Sequence, residues 1–421
     1  MAAHRNHSSE SQHAGAQSDW INRARALKPV LENAAPRIEH GKTIPPDVLE
    51  ALHNAGMFRM MMPRSVGGAE LDLATYAQVI ALIAEGDASA AWCIAQTSGC
   101  SMAAAYLDPG VAKEVFASPS AVLTWGFASG QPPCRAVPVK GGWIVNGAWT
   151  FASGNRLCQW LGGHVQICDD SGIPRLRADG GIMERTMLFP RSSARVREDL
   201  WDVVGLAGTG SDSYAVTDLF VPAEYTVVPR GIPSDQHLPE GVKAEPDPER
   251  REFGVLYRCS NQAAFQVGLT SVAIGLARAT LDTFIVLAKK KSPSSATHSL
   301  RDDTWVQARI AQADAKISAA SAWLVKLLEE AWQEAESFGE ISFPLRVKIR
   351  LACTHQITEA TEAVDMIYRE AGATAIFRNQ PFERRFRDMH TVAQQVQGSI
   401  ARIQTVGQYY LGMKPQLFLL P

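Results

Sequence analysis

The chain has 421 residues, of which 46% are hydrophobic and 20% are charged, so it is too long to be built around a single hydrophobic core. Its 41 lysines and arginines against 43 aspartates and glutamates leave a formal charge of −2, which excludes binding to nucleic acid or an anionic membrane through overall charge. Seven cysteines without a C-x-x-C pair indicate free thiols in a reducing compartment, and we therefore expect a cytoplasmic protein.

The first third of the sequence is predicted to be helical after a short tail. Residues 1–18 are polar, lack the apolar core of a signal peptide, and are predicted to be disordered, with their three histidines in solvent rather than on a metal. Apolar residues then recur at helical spacing over residues 19–120, with helices expected at about 76–84 and 89–105. No stretch of about 18 consecutive apolar residues indicates a membrane span.

Short β runs separated by glycine predict a middle β domain over residues 121–230. Val137, Val139, Trp143 and Val145 alternate around Lys140-Gly141-Gly142, a pattern that predicts a tight hairpin. Further strands are expected at 160–167, 181–189 and 213–221, with turns at Asn146-Gly147 and Gly208-Thr209-Gly210.

Residues 231–254 are rich in proline, glycine and charge and are interpreted as a linker. Beyond it, residues 255–421 are predicted to form a four-helix bundle. Apolar residues alternate at four- and three-residue spacing from Val306 to Ala331 and again from Cys353 to Ala371, as in helices that pack at shallow angles. Residues 263–287 and 386–411 are expected to supply the other two helices. The predicted fold is mainly α with a middle β domain.

Several motifs that identify large enzyme classes are absent from the sequence. It contains no G-x-G-x-x-G after a predicted strand, no phosphate-binding P-loop, no G-x-S-x-G and no H-E-x-x-H. Dinucleotide-fold dehydrogenases, NTPases, serine hydrolases and zinc peptidases of these types are therefore disfavoured.

Three stretches resemble the acyl-CoA dehydrogenase superfamily. They are Gly142-Trp-Ile-Val-Asn-Gly-Ala-Trp-Thr-Phe-Ala-Ser-Gly154, Gly205-Leu-Ala-Gly-Thr-Gly-Ser-Asp212 with Phe220-Val-Pro222, and Ala371-Gly-Ala-Thr-Ala375 with Pro381-Phe-Glu-Arg-Arg-Phe-Arg-Asp388. The resemblance extends over roughly residues 20–412 and implies an N-terminal helical domain, a β-barrel-like middle domain and a C-terminal four-helix bundle. It also implies a homotetramer, in which residues 371–388 complete the flavin site of a neighbouring subunit.

The dehydrogenases of this superfamily need a carboxylate base, and the resemblance places that position at Val396. The alternative source of a base is the helix predicted over residues 261–287, and its one acidic residue is Asp282. The family's R-x-x-F-G arginine, which pairs with the FAD pyrophosphate, is replaced by Ala288-Lys-Lys-Lys-Ser-Pro293. An FAD-dependent acyl-CoA dehydrogenase or related flavin oxidase is therefore the second interpretation, and a non-catalytic relative is the third.

Trp149-Thr-Phe-Ala-Ser153-Gly154 and Arg387-Asp-Met-His390 are similar to segments of the two-component flavin monooxygenases. The resemblance implies that a separate NAD(P)H:flavin reductase supplies reduced FMN, with FAD as the alternative cofactor. It further implies that this flavin reacts with O2 to give a C4a-hydroperoxide, which oxygenates a small aromatic or polycyclic substrate. Ser153 is then expected to bind near the flavin N5, and His390 to act as an acid–base group. The alternative interpretations are that Ser153 is only a turn residue and that His390 is only a packed helix histidine.

The resemblance implies further site residues. Flavin contacts are expected from Trp125, Phe127, Trp149, Phe151, Gly372, Ala373 and Thr374, and a substrate pocket is expected at Trp92, Gln96 and Ser98. Core packing is the alternative for Trp125 and Phe127, and His164 is interpreted as a buried core residue. The sequence departs from the hydroxylases at Gln395, where they often have a second histidine, and this leaves N- or S-oxygenation open.

Overall fold

The computed structural model describes residues 3–177, 180–228, 250–292 and 299–413. The helices of the N-terminal part are α1 (Ala3–Gly41), α2 (Pro46–Asn54), α3 (Leu73–Gly86), α4 (Ala88–Ser101) and α5 (Pro109–Phe116). Aspartates fix where α3 and α4 begin, because Asp72 accepts a hydrogen bond from the Thr75 amide and Asp87 from the Ala90 amide, each at 2.8 Å.

The first helix begins earlier than the sequence indicates. The structure has Ala3–Gly41 as one helix, so the prediction of a disordered tail up to residue 18 is wrong from Ala3 onward. Lengthening an existing helix costs little compared with nucleating one, and Gln17 Nε2 donates a 3.2 Å hydrogen bond to Asp72 at the start of α3.

The middle part of the chain forms one mixed sheet. Its strands are β1 (Leu123–Trp125), β2 (Phe127–Ser129), β3 (Arg135–Val139), β4 (Gly142–Ala152), β5 (Trp160–Ile167), β6 (Glu184–Pro190), β7 (Arg195–Arg197), β8 (Asp212–Pro222) and β9 (Thr226–Val227). Hydrogen-bonded neighbours follow the order β7-β8-β4-β3-β5-β6-β9, with β1 added to β5 and β2 added to β4. The pairs β1/β5 and β3/β5 are parallel, and the other pairs are antiparallel.

The predicted hairpin is present, but one predicted turn is not. Val139 pairs with Gly142 across a two-residue turn, and Gly141 has the positive φ of 84° that such a turn requires. Asn146-Gly147 lies inside β4 rather than in a turn, because the Asn146 amide group pairs with Asp218 of β8 through bonds of 3.0 and 2.9 Å. A register shift beside Asn146 accommodates this pairing as a bulge.

The C-terminal part is helical. Its helices are α6 (Asn261–Ala288), α7 (Thr304–Phe338), α8 (Phe343–Ala371), α9 (Pro381–Ala393) and α10 (Ile400–Tyr410). The apolar stripe of α8 is buried throughout, and that of α7 is buried except for the half-buried Ile310, which confirms the bundle. Residues 229–249, which include most of the predicted linker, lie outside the described residues.

The last predicted helix, over residues 386–411, is broken in the structure. Between α9 and α10 the buried Gln397 accepts a 2.9 Å hydrogen bond from Thr354 Oγ1 at its carbonyl, and its side chain accepts one from Arg350. In a continuous helix that carbonyl would bond within its own helix instead. The prediction of one helix is therefore wrong, because the tertiary bonds to α8 outweigh helix continuity here.

Helix α6 connects the N-terminal helices to the bundle. It packs against α3 and α4 on one side and against α8 on the other. Gly275 permits the contact with α3, since a Cβ at this position would overlap the Ala81 carbonyl oxygen. In the described part of the chain, one helix, Gln262–Ala288, has the length and hydropathy of a membrane span, yet 67% of its most apolar window is buried inside the protein.

Candidate active site

A bulge near the end of β4 exposes an aromatic side chain. Between the pairs Trp149 with Tyr214 and Ala152 with Asp212, β4 contains one residue more than β8. Phe151, within the bulge, has a φ of +59°, which is a strained conformation for a bulky residue. Bulges of this kind redirect a side chain, and here Phe151 points out of the core.

Phe151 and Phe127 form an apolar face on neighbouring strands. Phe127 lies on β2, which pairs with β4 through Phe127 and Thr150. Both rings are open to solvent, at 57% exposure for Phe151 and 58% for Phe127, and Phe151 meets Trp201 edge-on at 6.1 Å. An exposed aromatic face of this size on a sheet suits a planar ring ligand.

Ser153 follows the bulge and is buried. Its Oγ accepts a 3.1 Å hydrogen bond from Trp92 Nε1 and lies 2.7 Å from Ser211 Oγ. Its carbonyl accepts a 2.8 Å bond from Thr124 Oγ1. The structure therefore brings together two predicted site residues, Ser153 and Trp92, which lie 61 positions apart in the sequence.

Two of the predicted flavin contacts are core residues instead. The Trp149 ring is fully buried, stacks on Tyr214 at 5.2 Å and donates a 3.1 Å bond to the His164 carbonyl. Trp125 is also buried and meets the rings of His164 and Phe265 at 5.4 and 6.2 Å. The extra residue in the bulge breaks the two-residue alternation, which is why Trp149 faces the core while Phe151, two residues on, faces outward.

His164, which the sequence indicates as a buried core residue, is half-buried and hydrogen-bonded in the structure. Its Nδ1 lies 2.7 Å from Thr186 Oγ1 of the neighbouring strand. Burial lowers the pKa of His164 to about 4, so the ring is neutral at physiological pH. The side chain is therefore available for packing rather than for acid–base chemistry.

The predicted substrate residues of α4 divide between two faces of the helix. Trp92 and Gln96 are four positions apart and share the face toward Ser153, and Gln96 is half-buried there. Ser98 is fully buried on another face, beside the hydroxyl of Tyr76. The structure thus keeps Trp92 and Gln96 as candidates and places Ser98 in the helical core.

A loop over residues 205–210 connects the sheet to helix α9. The Leu206 amide donates a 2.6 Å hydrogen bond to Asp388 Oδ1, and Asp388 is almost completely buried. Burial, assisted by the neighbouring Asp87 carboxylate and opposed by the Leu206 hydrogen bond, raises the pKa of Asp388 to about 7. Burial likewise raises the pKa of Asp87 to about 6.

His390 lies two residues after Asp388 and faces a different way. Residues two apart on a helix point roughly 200° apart, so His390 is directed toward α8 rather than toward the loop. Its Nε2 is 2.9 Å from Asp365 Oδ1, and its ring packs on Phe386 at 4.3 Å. Within this chain the contacts of His390 are therefore separate from those of Ser153.

The predicted contacts at Gly372, Ala373 and Thr374 lie in a short 3₁₀ helix, Gly372–Ile376, after α8. Lys291 at the end of α6 fixes this segment by donating 2.8 Å bonds to the Ala371 carbonyl and to Thr374 Oγ1. Ala373 is exposed. Lys291 therefore holds the segment against the bundle, and part of the segment's surface faces outward.

The positions at which a dehydrogenase would carry its base hold no suitable acid. Val396 lies in the 3₁₀ turn between α9 and α10 and is exposed. Asp282 on α6 is half-exposed and lies 3.8 Å from Arg278, one turn earlier. In the described residues, no group of three histidine, cysteine, aspartate or glutamate side chains is placed to hold a metal ion.

The arrangement on β2 and β4 fits a flavin. The exposed rings of Phe127 and Phe151 provide an apolar face for a tricyclic ring, and the adjacent Ser153 provides a buried polar atom at its edge. Sequence reasoning predicted Phe151 and Ser153 from one motif, and Phe127 from the strand before the hairpin. It missed Thr209 and Ser211, whose hydroxyls continue the hydrogen bonds of Ser153, although both belong to the second stretch that resembles the family.

Comparison with known proteins identifies the family of the chain. The models of the acyl-CoA dehydrogenase N-terminal and C-terminal domains match residues 23–109 and 267–398. An indole-3-acetate monooxygenase of Acinetobacter baumannii is 30% identical over 376 residues, which cover 88% of each protein. The chain belongs to the acyl-CoA dehydrogenase family, and within it to the flavin-dependent monooxygenases.

One further relative and one solved structure are also similar to the chain. The oxygenase subunit HsaA of a flavin-dependent monooxygenase from Rhodococcus jostii is 27% identical and covers 88% of this chain and 92% of its own. The crystal structure of 3-HSA hydroxylase from Rhodococcus sp. RHA1 superposes with a TM-score of 0.84 at 24% identity, over 95% of this chain and 99% of that one. The latter likeness confirms the fold.

The buried Asp388 makes stability depend on pH in a defined direction. Because its pKa in the folded protein, about 7, is above its ordinary value of 3.8, its contribution to stability is complete below about pH 4 and is lost as the pH rises through 7. Asp388→Asn keeps an oxygen that accepts the Leu206 bond and does not titrate. We expect the unfolding free energy of the wild type to fall relative to this variant between pH 4.5 and 7.5, by up to about 4 kcal/mol. The thermal midpoint, which is the quantity measured, should fall with it.

The control is Asp202→Asn, at a carboxylate whose side chain is 96% exposed. Its thermal midpoint should follow the wild-type pH dependence. Parallel curves for the wild type and Asp388→Asn would contradict the assignment of a raised pKa to Asp388.

Proposed function

We propose that this protein is the oxygenase component of a two-component system that uses reduced FMN and O2 to oxygenate a small aromatic or polycyclic substrate. The exposed face of Phe127 and Phe151 next to the buried Ser153 hydroxyl carries the proposal, because it offers a flavin both a stacking surface and a polar contact at its edge. When bound, reduced flavin supplies the electrons that activate O2. A separate NAD(P)H:flavin reductase supplies that flavin.

Each site residue has a proposed task. Phe127 and Phe151 contact the isoalloxazine ring, and Ser153 hydrogen-bonds near its N5. Trp92 and Gln96, on one face of α4, border the substrate. An aromatic substrate is supported by this tryptophan and by the indole-3-acetate that gives the Acinetobacter relative its name.

FMN is proposed as the cofactor rather than FAD. The R-x-x-F-G arginine that pairs with the FAD pyrophosphate in the dehydrogenases has no counterpart at the end of α6, where the chain reads Ala288-Lys-Lys-Lys. Of these lysines, Lys291 is already used in holding Thr374 and the Ala371 carbonyl. FMN has one phosphate, so it needs fewer positively charged partners in this region than the pyrophosphate of FAD does.

The cofactor is tested by anaerobic titration of the purified protein with oxidised and photoreduced FMN and FAD. Reduced FMN is expected to bind most tightly, and the protein alone should not oxidise NADH. Stoichiometric retention of oxidised FAD through purification would contradict the proposal. So would bleaching of the flavin absorbance by short-, medium- or branched-chain acyl-CoA thioesters, which would favour the dehydrogenase interpretation.

His390 is proposed as the group that accepts a proton from a phenolic substrate. Its hydrogen bond with Asp365 fixes the orientation of the ring, and its side chain is 40% exposed, so a ligand can reach it. Because its contacts in one chain are separate from those of Ser153, the proposal needs the substrate to extend from the flavin toward α9.

With a phenol that the wild type hydroxylates, His390→Ala should lower the rate at pH 7 by roughly 100-fold or more, as the loss of a general base does. The variant's rate should then rise about tenfold per pH unit between 7 and 9, because the phenol ionises without help near pH 10. Product formation is measured by chromatography with excess reduced FMN. The matched control is His355→Ala, at another half-exposed histidine, which pairs with Glu359 on α8. Equal rates in both variants would exclude His390 as the base.

A homotetramer is proposed, with residues 371–388 of one subunit completing the flavin site of another. Ile376 and Phe377, which follow Gly372–Thr374, are 64% and 58% exposed in the single chain. Apolar side chains this open next to a proposed site are expected to be covered by a second subunit.

Phe377→Asp should therefore reduce the mass of the oligomer and weaken flavin binding at the same time, since a charge in an apolar interface disfavours association. Light scattering after size exclusion measures the mass, and anaerobic titration measures the binding. Leu176→Asp, at an equally exposed apolar residue after β5, is the control and should leave both unchanged. An unchanged tetramer with Phe377→Asp would exclude this segment as an interface.

A cytoplasmic location is also proposed. The seven cysteines of the sequence are all buried and free in the structure. Proteins of oxidising compartments usually pair their cysteines in disulfide bonds, so free thiols favour a reducing compartment.

A further inference from the structure

Four hydrogen bonds form a continuous chain behind Ser153. Trp92 Nε1 is 3.1 Å from Ser153 Oγ, which is 2.7 Å from Ser211 Oγ. Ser211 Oγ is 2.8 Å from Thr209 Oγ1, which is 2.8 Å from the Leu206 carbonyl oxygen. The side chains of Trp92, Ser153, Thr209 and Ser211 are all at most 8% exposed, so solvent does not compete for these bonds.

The two ends of this chain determine the direction of every bond in it. An indole N–H can only donate, and a carbonyl oxygen can only accept. The three hydroxyls between them have one proton each, so together with the indole there are four protons for four bonds. All four bonds form only when Trp92 donates to Ser153, Ser153 to Ser211, Ser211 to Thr209, and Thr209 to the Leu206 carbonyl.

In this arrangement the Ser153 oxygen can only accept a further hydrogen bond. Its proton points to Ser211, one lone pair receives the Trp92 N–H, and one lone pair remains. Reversing the chain would free the Ser153 proton, but Thr209 would then lose its bond to the Leu206 carbonyl. The number of bonds would fall from four to three, which makes the reversed arrangement the less stable one.

The redox state of a flavin changes what its N5 can do. N5 carries a hydrogen in the reduced ring and a bare lone pair in the oxidised ring. We propose that the chain from Trp92 to Thr209 makes Ser153 an acceptor-only contact that selects reduced flavin, with Ser211 and Thr209 as positioning residues. This inference rests on the placement of Ser153 at N5 under the proposed function. The oxidised ring would meet the Ser153 oxygen lone pair to lone pair.

The test is the ratio of the dissociation constants for oxidised and photoreduced FMN, each obtained by anaerobic titration. Ser211→Ala removes the acceptor of the Ser153 proton. Thr209→Val removes the acceptor of the Ser211 proton, so that Ser211 can donate to Ser153 without the loss of a bond. Either change makes the Ser153 proton available to the oxidised ring, and should lower the ratio of oxidised to reduced constants by roughly 3- to 10-fold, the value of one hydrogen bond. Thr209→Ser keeps the hydroxyl and should retain the wild-type ratio.

Ser153→Ala separates this inference from the proposed function. If Ser153→Ala changes the ratio while Ser211→Ala and Thr209→Val leave it as in the wild type, the direction of the chain is wrong but Ser153 still contacts the flavin. If Ser153→Ala leaves both constants unchanged, Ser153 does not contact N5 and the inference fails with its premise. Circular dichroism melts establish that each variant is folded. Thr209→Val preserves the side-chain shape. If Ser211→Ala does not fold, the ratio of dissociation constants measured with Thr209→Val is sufficient to test the direction of the chain.

Discussion

The hydrogen bond from the Leu206 amide to the buried Asp388 carboxyl connects the helical bundle to the sheet at the candidate site. Leu206 has a φ of +53°, a conformation that a leucine adopts only when its surroundings hold it there. The loop held in this way places Thr209 and Ser211, and these in turn reach Ser153 on β4. A carboxyl group on α9 thus positions a hydroxyl at the edge of the proposed flavin face.

The larger features of the fold could be predicted from the sequence because they depend on periodicity. The stripes of α7 and α8 repeat over many turns, and the Lys140-Gly141 hairpin depends on local backbone geometry. The break at Gln397 and the pairing of Asn146 with Asp218 could not be predicted, because both depend on side chains that are distant in sequence. Local propensity gives way where a buried polar group finds a tertiary partner.

The candidate site was predictable in part for the same reason. A single motif led to Phe151 and Ser153, but the same motif also suggested Trp149, which packs in the core. The difference is one inserted residue in β4, and an insertion becomes visible only when the partner strand β8 is aligned beside it. Thr209 and Ser211 were passed over because short hydroxyl residues near glycines are common in turns.

The central position of α6 has a consequence for synthesis on the ribosome. Helices α3 and α4 pack their apolar faces against α6, which is completed about 190 residues after α4 ends. At typical elongation rates of 5–20 residues per second this delay is roughly 10 to 40 s. During that time the nascent N-terminal helices expose a surface that only a later part of the chain can cover, so chaperones that bind apolar segments have a long opportunity to act.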